Sequence, residues 1–458
     1  MLFNTSIGIF LDFYELTMAQ VYFEKNLFGK ATFSLSIRTR PKNRPFFLFA
    51  GLEPFLKLLK NFKFNESDLE YLESLKIFKS SFFDYLKNFS FKGSIRCLPE
   101  GTIFFENEPI CEVESDLISA QIIETLIINT LHIETLIATK ALLCVKSAKG
   151  IPIFDFSARR THGIDSSLHV ARASYIAGFS GTSNVLAGKL WNIPVVGTMA
   201  HSFVEVFPSE EEAFKAFSKT YPERSILLID TYNTIGATQK IIKLKNFFEE
   251  NKISLKGVRI DSGDLAELSK KVRKILDKGS LKEVQIFLSG SLDEKEIKKL
   301  LKAKVPVSGF GVGTRMGVSE DAPYFEMGYK LVEYEGKPCF KLSPKKELLP
   351  GSKNLYRIWD EKDQFLFDLI TLKDEPVDLS SYPKSTNLLE LVYKEDKILY
   401  HESLEDIRSR VKEELKRNYK KRVKVSKAIK ELYKHLKKIF CTLKKLPNLL
   451  TFLRFPLH

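Results

Sequence analysis

Between residues 152 and 310, short apolar runs alternate with stretches of helical periodicity, and this alternation constrains the fold more than any other feature of the chain. Strands are expected at 152–156, 193–197, 225–230, 256–260, 284–288 and 305–310, with helices expected at 166–189, 209–218, 234–250, 264–278 and 293–303. Strands and helices in strict alternation read as βαβ units, and so many of them imply a parallel sheet wound as a barrel or a doubly wound layer. In a parallel barrel the C-terminal strand ends share one face, and the loops there build the site.

The residues that follow each run are polar. Ser157-Ala158-Arg159-Arg160 follows the first, Thr198 and His201 the second, and Asp230 with Thr231, Tyr232 and Asn233 the third. Asp261-Ser262-Gly263-Asp264, Ser289-Gly290-Ser291 and Gly311-Val312-Gly313-Thr314 follow the remaining three. Arginine, threonine, histidine, aspartate, serine and a glycine-rich turn are thus expected to converge from distant positions.

The flanks differ in character. Residues 5–23 begin as an apolar, strand-like run and turn helical, with Asp12 and Glu15 spaced as a capping box and Tyr14 in the first turn. Two strands over 31–49, short helices over 51–61 and 66–89, and further strands over 93–114 make an α+β unit, assigned to 1–135 and completed by 320–400. A long helical pattern from Leu117 to Lys149 leads into the barrel unit, 136–319. Strand-like pieces recur at Tyr329 to Tyr334, Lys337 to Leu342 and Gln364 to Leu369, and residues 403–445 read as one Lys-rich helix within a basic tail, 403–458.

Charge and cysteine use narrow the function classes. The net charge is +14, but residues 401–458 alone hold 17 Lys and Arg against 6 Asp and Glu. The body is therefore near neutral and the surplus belongs to the tail, read as a solvated helix, so no nucleic-acid partner is expected. No run of about 18 uncharged apolar residues is present, so no membrane partner is expected either. The five cysteines are scattered without metal-ligand spacing, which fits a reducing cytoplasm with neither zinc nor a disulfide framework.

The strand-end residues allow a chemistry without fixing a reaction. A Gly-rich turn after a late strand suits phosphate, because glycine lets backbone N–H groups approach an anion; the Gly-Lys-Ser/Thr ending of a Walker loop is absent here. Arg159 and Arg160 can grip carboxylate or phosphate, or simply occupy a solvated turn. Asp230, Asp261 and Asp264 can meet a water-bound Mg²⁺ or sugar hydroxyls, with helix capping as the alternative for Asp261 and Asp264. His201 remains open between acid/base work, nucleophilic attack on phosphate and a core role. The residues support an α/β enzyme acting on a phosphorylated, sugar-containing substrate.

Seven segments, in order, resemble the nicotinate phosphoribosyltransferase family: Asp12 to Met18, Phe156 to Gly163, Gly178 to Gly188, Gly197 to Phe203, Asp230 to Tyr232, Val258 to Leu265, and Gly309 to Thr314. The resemblance covers residues 8 to 345. It implies an irregular α/β barrel, or funnel, with an α+β domain, and an ATP-dependent ligase joining nicotinate to 5-phosphoribosyl 1-diphosphate in NAD salvage. It also implies ATP hydrolysis coupled through a phosphohistidine at His201, Mg²⁺ carried mainly by substrate, and a homodimer in which Tyr14 serves the partner's site. By the same resemblance Tyr14 and Thr198 contact nicotinate and Arg259 lies near its carboxylate. Arg159, Asp230 and Asp261 line the ribose and diphosphate region, and Gly311, Gly313 and Thr314 hold the 5′-phosphate. Ser291 stands where the family usually has an Asn-containing or acidic segment. The alternatives are a nicotinamide phosphoribosyltransferase, which Ser202 and the opening motif disfavour, and an inactive homologue binding anions through its tail.

Overall fold

The computed structural model describes residues 7–341 and 348–444, with side chains through Ile439. Its chain divides into two compact units, one formed by residues 3–132 with 325–458 and the other by 133–324.

The second unit holds a six-stranded sheet, every pair of which is parallel. From one edge to the other, its strands are Gly181–Thr182, Ile153–Asp155, Gly309–Val312, Gln285–Leu288, Leu255–Ile260 and Ser225–Leu228. Except for Gly181–Thr182 and Ser225–Leu228, each strand neighbours the next in sequence, and the last returns to pair with the first, the winding of a barrel. The cycle opens at one place only, between the Gly181–Thr182 edge and the Ser225–Leu228 edge, so the sheet is a curled half-barrel.

Residues 193–197, expected as a full strand, reach this edge as a single parallel bridge from Val195 to Thr182. Two glycines permit the approach: a Cβ on Gly181 would lie 2.6 Å from the Pro194 carbonyl, and one on Gly188 would lie 2.3 Å from a Val195 methyl. The helix expected over 166–189 is accordingly two, Ile164–Ile176 and Val185–Trp191, with the short Gly181–Thr182 strand between them. The strand expected over 305–310 runs Gly309–Val312 instead, so Gly309 and Gly311 lie inside the sheet. There they make room for aromatic rings. Phe287, on the neighbouring strand, would meet a Cβ on Gly309 at 2.8 Å, and the Phe156 ring would meet one on Gly311 at 2.5 Å.

The first unit is built on a seven-stranded antiparallel sheet in the order Lys337–Pro338, Met327–Tyr334, Lys30–Ile37, Cys111–Asp116, Ser94–Cys97, Glu390–Lys394 and Lys397–Ile398. Both ends of the chain contribute strands to it. A four-stranded sheet, Lys384–Asn387, Lys353–Trp359, Phe365–Leu372 and Val423–Val425, adds a parallel strand at one edge. The single helix expected over 403–445 is therefore helix Leu404–Lys416, strand Val423–Val425 and helix Lys427–Lys444; residues 445–458 of the basic tail, and Leu342 of the Lys337 to Leu342 reading, lie outside the described residues. Tertiary pairing of Val423 and Val425 with Asp368 and Ile370 overrides the helical pattern.

Buried Arg357 fastens this segment. Its guanidinium makes a two-point pair with Asp368, both contacts 2.8 Å, donates to the Ile103 carbonyl at 2.6 Å, and meets Glu414 of the Leu404–Lys416 helix at 3.5 Å. The helix Glu124–Ala148 is long and apolar enough to cross a bilayer by composition. Leu126, Ile127, Leu131, Ile137 and Leu142 are buried, however, as in the core helix of a globular protein.

At the start of the helix Phe13–Glu24 the expected capping box does not form. Asp12 makes no side-chain cap; it accepts from the Thr125 hydroxyl, while Glu15 accepts from the Thr125 amide at 3.1 Å and its hydroxyl at 2.5 Å. Glu15 is fully buried and its second oxygen has no partner among the described residues. Burial, opposed by the Thr125 hydrogen bonds and reinforced by Glu124 and Asp12, pushes its carboxyl up to about 8.

Two outcomes follow. Gly309→Ala should lower the thermal midpoint by several degrees, corresponding to overpacking against Phe287 of about 1–3 kcal/mol; an unchanged calorimetric midpoint would refute this packing role. Because the Glu15 carboxyl is raised, the native state holds the extra proton between the ordinary carboxylate range and pH 8, so stability drains away as pH rises through that window. The wild-type midpoint should therefore fall by roughly 3–6 °C more than that of Glu15→Gln between pH 5.5 and 8.5, and parallel pH curves would contradict the assignment.

Candidate active site

Because all six strands are parallel, their C-terminal ends open on one face, and the polar residues predicted there fall on it. At the first strand's end Asp155 is fully buried. It accepts from the Ser157 amide at 2.9 Å and hydroxyl at 2.5 Å and from the Thr182 hydroxyl at 2.7 Å, which fixes the turn Ala158–Arg160 that carries Arg159 and Arg160 into solvent. Burial raises the Asp155 carboxyl, with those hydrogen bonds working against it. An acid inside an otherwise apolar run was the available signal for this buried anchor.

Asp230 and Asp261 end adjacent strands and are linked. One oxygen of Asp230 accepts from the Asp261 amide at 3.1 Å and the Ser262 hydroxyl at 2.6 Å, while the other is buried without a partner among the described residues. Asp261 accepts from the Ser289 hydroxyl and faces an Arg259 nitrogen at 3.8 Å. Asp264 does not join them; it caps the helix Leu265–Lys278 by accepting from the Glu267 amide at 2.9 Å.

Arg259 stands within its strand, as its sequence position implies, and crosses the opening in the barrel. One Nη donates to the Met199 carbonyl at 2.9 Å, the guanidinium lies 5.9 Å from the Phe156 ring centre, and Nε is buried with no partner among the described residues. Burial lowers its pKa, Asp261 and Asp230 oppose that, and Arg159 adds to it, which places Arg159 within electrostatic reach. The Thr198 hydroxyl donates to the same Met199 carbonyl at 3.4 Å.

His201 opens the short helix His201–Glu205, and its Nδ1 lies 3.2 Å from the Thr231 hydroxyl. Thr231 and Asn233 both precede the next helix, Thr234–Lys243. Asn233 is the cap, accepting from the Gly236 amide at 2.7 Å, and Thr231 instead holds the imidazole. Thus two contacts, Arg259 to Met199 and His201 to Thr231, span the gap in the strand cycle.

The remaining strand ends complete the face. Gly290 and Ser291 both take left-handed backbone, with φ of 94° and 51°. A Cβ on Gly290 would fall 1.8 Å from the Asp261 carbonyl, so this turn presses directly on Asp261. Gly313 precedes the helical turn Thr314–Gly317, with Thr314 half-buried, whereas Gly311 is buried in the strand. Tyr14 belongs to the other unit. It is exposed on the helix Phe13–Glu24, where partial burial followed by the charges of Glu124 and Glu15 raises its phenol.

Chemically, this face offers two linked carboxylates, a guanidinium beside one of them, an oriented imidazole and a glycine turn. The orphaned Asp230 oxygen and Arg259 Nε are buried polar atoms that call for a bound partner.

Residues 9–132 match the model of the nicotinate phosphoribosyltransferase N-terminal domain, and residues 151–348 that of the nicotinate phosphoribosyltransferase family. The chain is 44% identical over 350 residues to nicotinate phosphoribosyltransferase pncB2 of Mycobacterium tuberculosis, covering 76% of this chain and 75% of that protein. It is 38% identical over 385 residues to the Bacillus subtilis nicotinate phosphoribosyltransferase, covering 82% and 78%. The crystal structure of human nicotinic acid phosphoribosyltransferase superposes with a TM-score of 0.82 at 25% identity, over 93% of this chain and 99% of that one. By its strand winding, its strand-end residues and these matches, the chain belongs to the nicotinate phosphoribosyltransferase family.

Proposed function

We propose that the protein joins nicotinate to 5-phosphoribosyl 1-diphosphate, giving nicotinate mononucleotide and diphosphate, and couples turnover to ATP hydrolysis through a phosphohistidine at His201, as an ATP-dependent ligase of NAD salvage. The observation that carries this reading is the connected set of Arg259, Asp230, Asp261 and His201 on one strand-end face.

In the transfer step the pyridine nitrogen of nicotinate bonds to the anomeric carbon as the carbon–oxygen bond to diphosphate breaks, and the electron pair leaves with diphosphate. Positive charge grows on the ribose, so nearby carboxylates stabilise the transition state and fixed positions for both reactants lower the entropic barrier. Asp230 and Asp261 suit the ribose hydroxyls and the developing cation, with the orphaned Asp230 oxygen free to accept. Mg²⁺ carried on the diphosphate substrate would supply charge neutralisation of the leaving group. Arg159 faces the diphosphate, while Gly311, Gly313 and Thr314 lie along the 5′-phosphate, with Gly313 and Thr314 supplying backbone donors at the turn. Ser291 sits on the neighbouring strained turn as a further substrate contact.

Arg259 is the partner for the nicotinate carboxylate, and its unpartnered Nε supports the acid over the neutral amide as substrate. Thr198, on the same carbonyl as Arg259, borders the ring. Exposed apolar side chains on the catalytic unit, Val185, Leu190, Val195 and Val206, support a homodimer that covers them, in which Tyr14 of the partner subunit closes over nicotinate. Coupling proceeds by transfer of the ATP γ-phosphoryl group to the His201 imidazole with release of ADP, followed by hydrolysis to phosphate. The free thiols of Cys97, Cys111, Cys144 and Cys339 support a cytoplasmic setting.

His201→Ala should keep basal nicotinate mononucleotide formation and lose ATP stimulation, with phosphoryl-enzyme absent from a γ-labelled ATP experiment; retention of full stimulation would exclude the phosphohistidine route. Thr231→Val should slow phosphorylation of His201 by about tenfold while leaving ATP-free turnover nearly unchanged, an effect near 1.4 kcal/mol on that step.

A further inference from the structure

Within the first unit a cavity of about 910 Å³ opens beside the helix Lys427–Lys444. Its size lies in the range of small-molecule sites. Most of its lining comes from residues 370 to 437, beyond the stretch matched by the family models, and none of it comes from the strand-end face of the other unit.

The cavity is strongly cationic. Arg38, Lys421, Lys430, Lys434 and Lys437 line it, against the single acid Glu106. Glu106 is already engaged twice, by Lys421 at 2.7 Å and Arg40 at 3.1 Å; these cations outweigh its burial and hold its carboxyl below the ordinary range. Arg38, Lys430, Lys434 and Lys437 have no acidic partner among the described residues. Three of them, spaced at 430, 434 and 437, project from one face of the helix. Like charges held at such spacing repel one another, and a polyanion would relieve that cost.

The floor is not polar. Ile370, Val423 and Val425 from the parallel strand pair, together with Leu349, form an apolar base. Tyr433 stands at its side, its ring fixed edge-on to Phe340 at 5.1 Å and approached by Lys437 at 5.8 Å. A merely solvated basic helix has no need of a concave apolar base. Several unneutralised cations above an apolar floor with an aromatic wall suit a ligand that carries multiple phosphates and a flat apolar ring.

We propose that this cavity is a binding site for a nucleoside triphosphate, with the phosphates between Arg38 and the lysines of the helix and the base over Val423, Val425 and Tyr433. The site shares no residue with the proposed catalytic machinery and does not depend on it.

The test is equilibrium dialysis of the full-length protein with labelled adenylyl imidodiphosphate, comparing wild type with a Lys430→Glu, Lys434→Glu double variant. If ATP also binds at the strand-end face, wild type should bind two equivalents per chain and the variant one, with the lost site weakened at least about tenfold. If the phosphohistidine reading is wrong, wild type should bind one equivalent and the variant none, so the two proposals fail separately. ATP-free nicotinate mononucleotide formation should be the same in both proteins and serves as the check on folding. Equal stoichiometry in the two proteins overturns the proposal. Displacement of the nucleotide by inorganic tripolyphosphate or by single-stranded RNA at equal or lower concentration also overturns it, since that marks a polyanion-binding face without base recognition.

Discussion

A guanidinium placed inside a strand holds the catalytic half of this protein together. The parallel cycle of strands is broken between Thr182 and Ser225, and the segment that should fill the break, 193–197, contributes only one bridge. Arg259 reaches from its strand to the Met199 carbonyl and so secures the loop that carries Thr198 and His201. The same side chain faces Asp261, which is tied to Asp230 through its own amide. One residue thus fixes both sides of the opening, and its burial is bearable because two carboxylates stand close by.

An open barrel has a use. A closed cycle of eight strands fills its interior with side chains, whereas a half-barrel leaves a breach where a histidine can stand with its ring held by Thr231. The glycines on the neighbouring strands serve the opposite purpose. Gly257, Gly309 and Gly311 yield their side-chain space to Phe287 and Phe156, so that the wall behind the carboxylates is dense and rigid.

The strand ends were legible because each apolar run terminates in polar residues, a local pattern that needs no partner to be seen. Asp230, Asp261, Ser289 and Gly313 fell where that pattern put them. The misses share a cause. Thr231 resembles a helix cap until His201 is brought beside it from thirty residues away, and Asp12 with Glu15 spells a capping box until Thr125 arrives from another helix. Gly181–Thr182 is too short to leave a period. Gly311 reads as loop until Phe156, just past the end of the adjacent strand, shows that its missing side chain is occupied space. In the C-terminal segment the lysine pattern masked a strand, since pairing with Asp368 to Ile370 is invisible in a local window. Of these positions the family resemblance assigned a role to Gly311 alone, one that no periodicity could supply.

The first unit is assembled from both ends of the chain, with residues 133–324 inserted between them. On a ribosome, therefore, the inserted half-barrel is complete while its host still lacks the strands Lys353–Trp359, Phe365–Leu372 and Val423–Val425. Until those arrive, Arg357 has not been synthesised, and the Ile103 carbonyl lacks the guanidinium that donates to it in the finished protein. The order of synthesis lets the half-barrel fold early, and leaves the host sheet, whose strands Lys30–Ile37 and Cys111–Asp116 are buried along most of their length in the finished protein, as the surface that stays uncovered longest before translation ends.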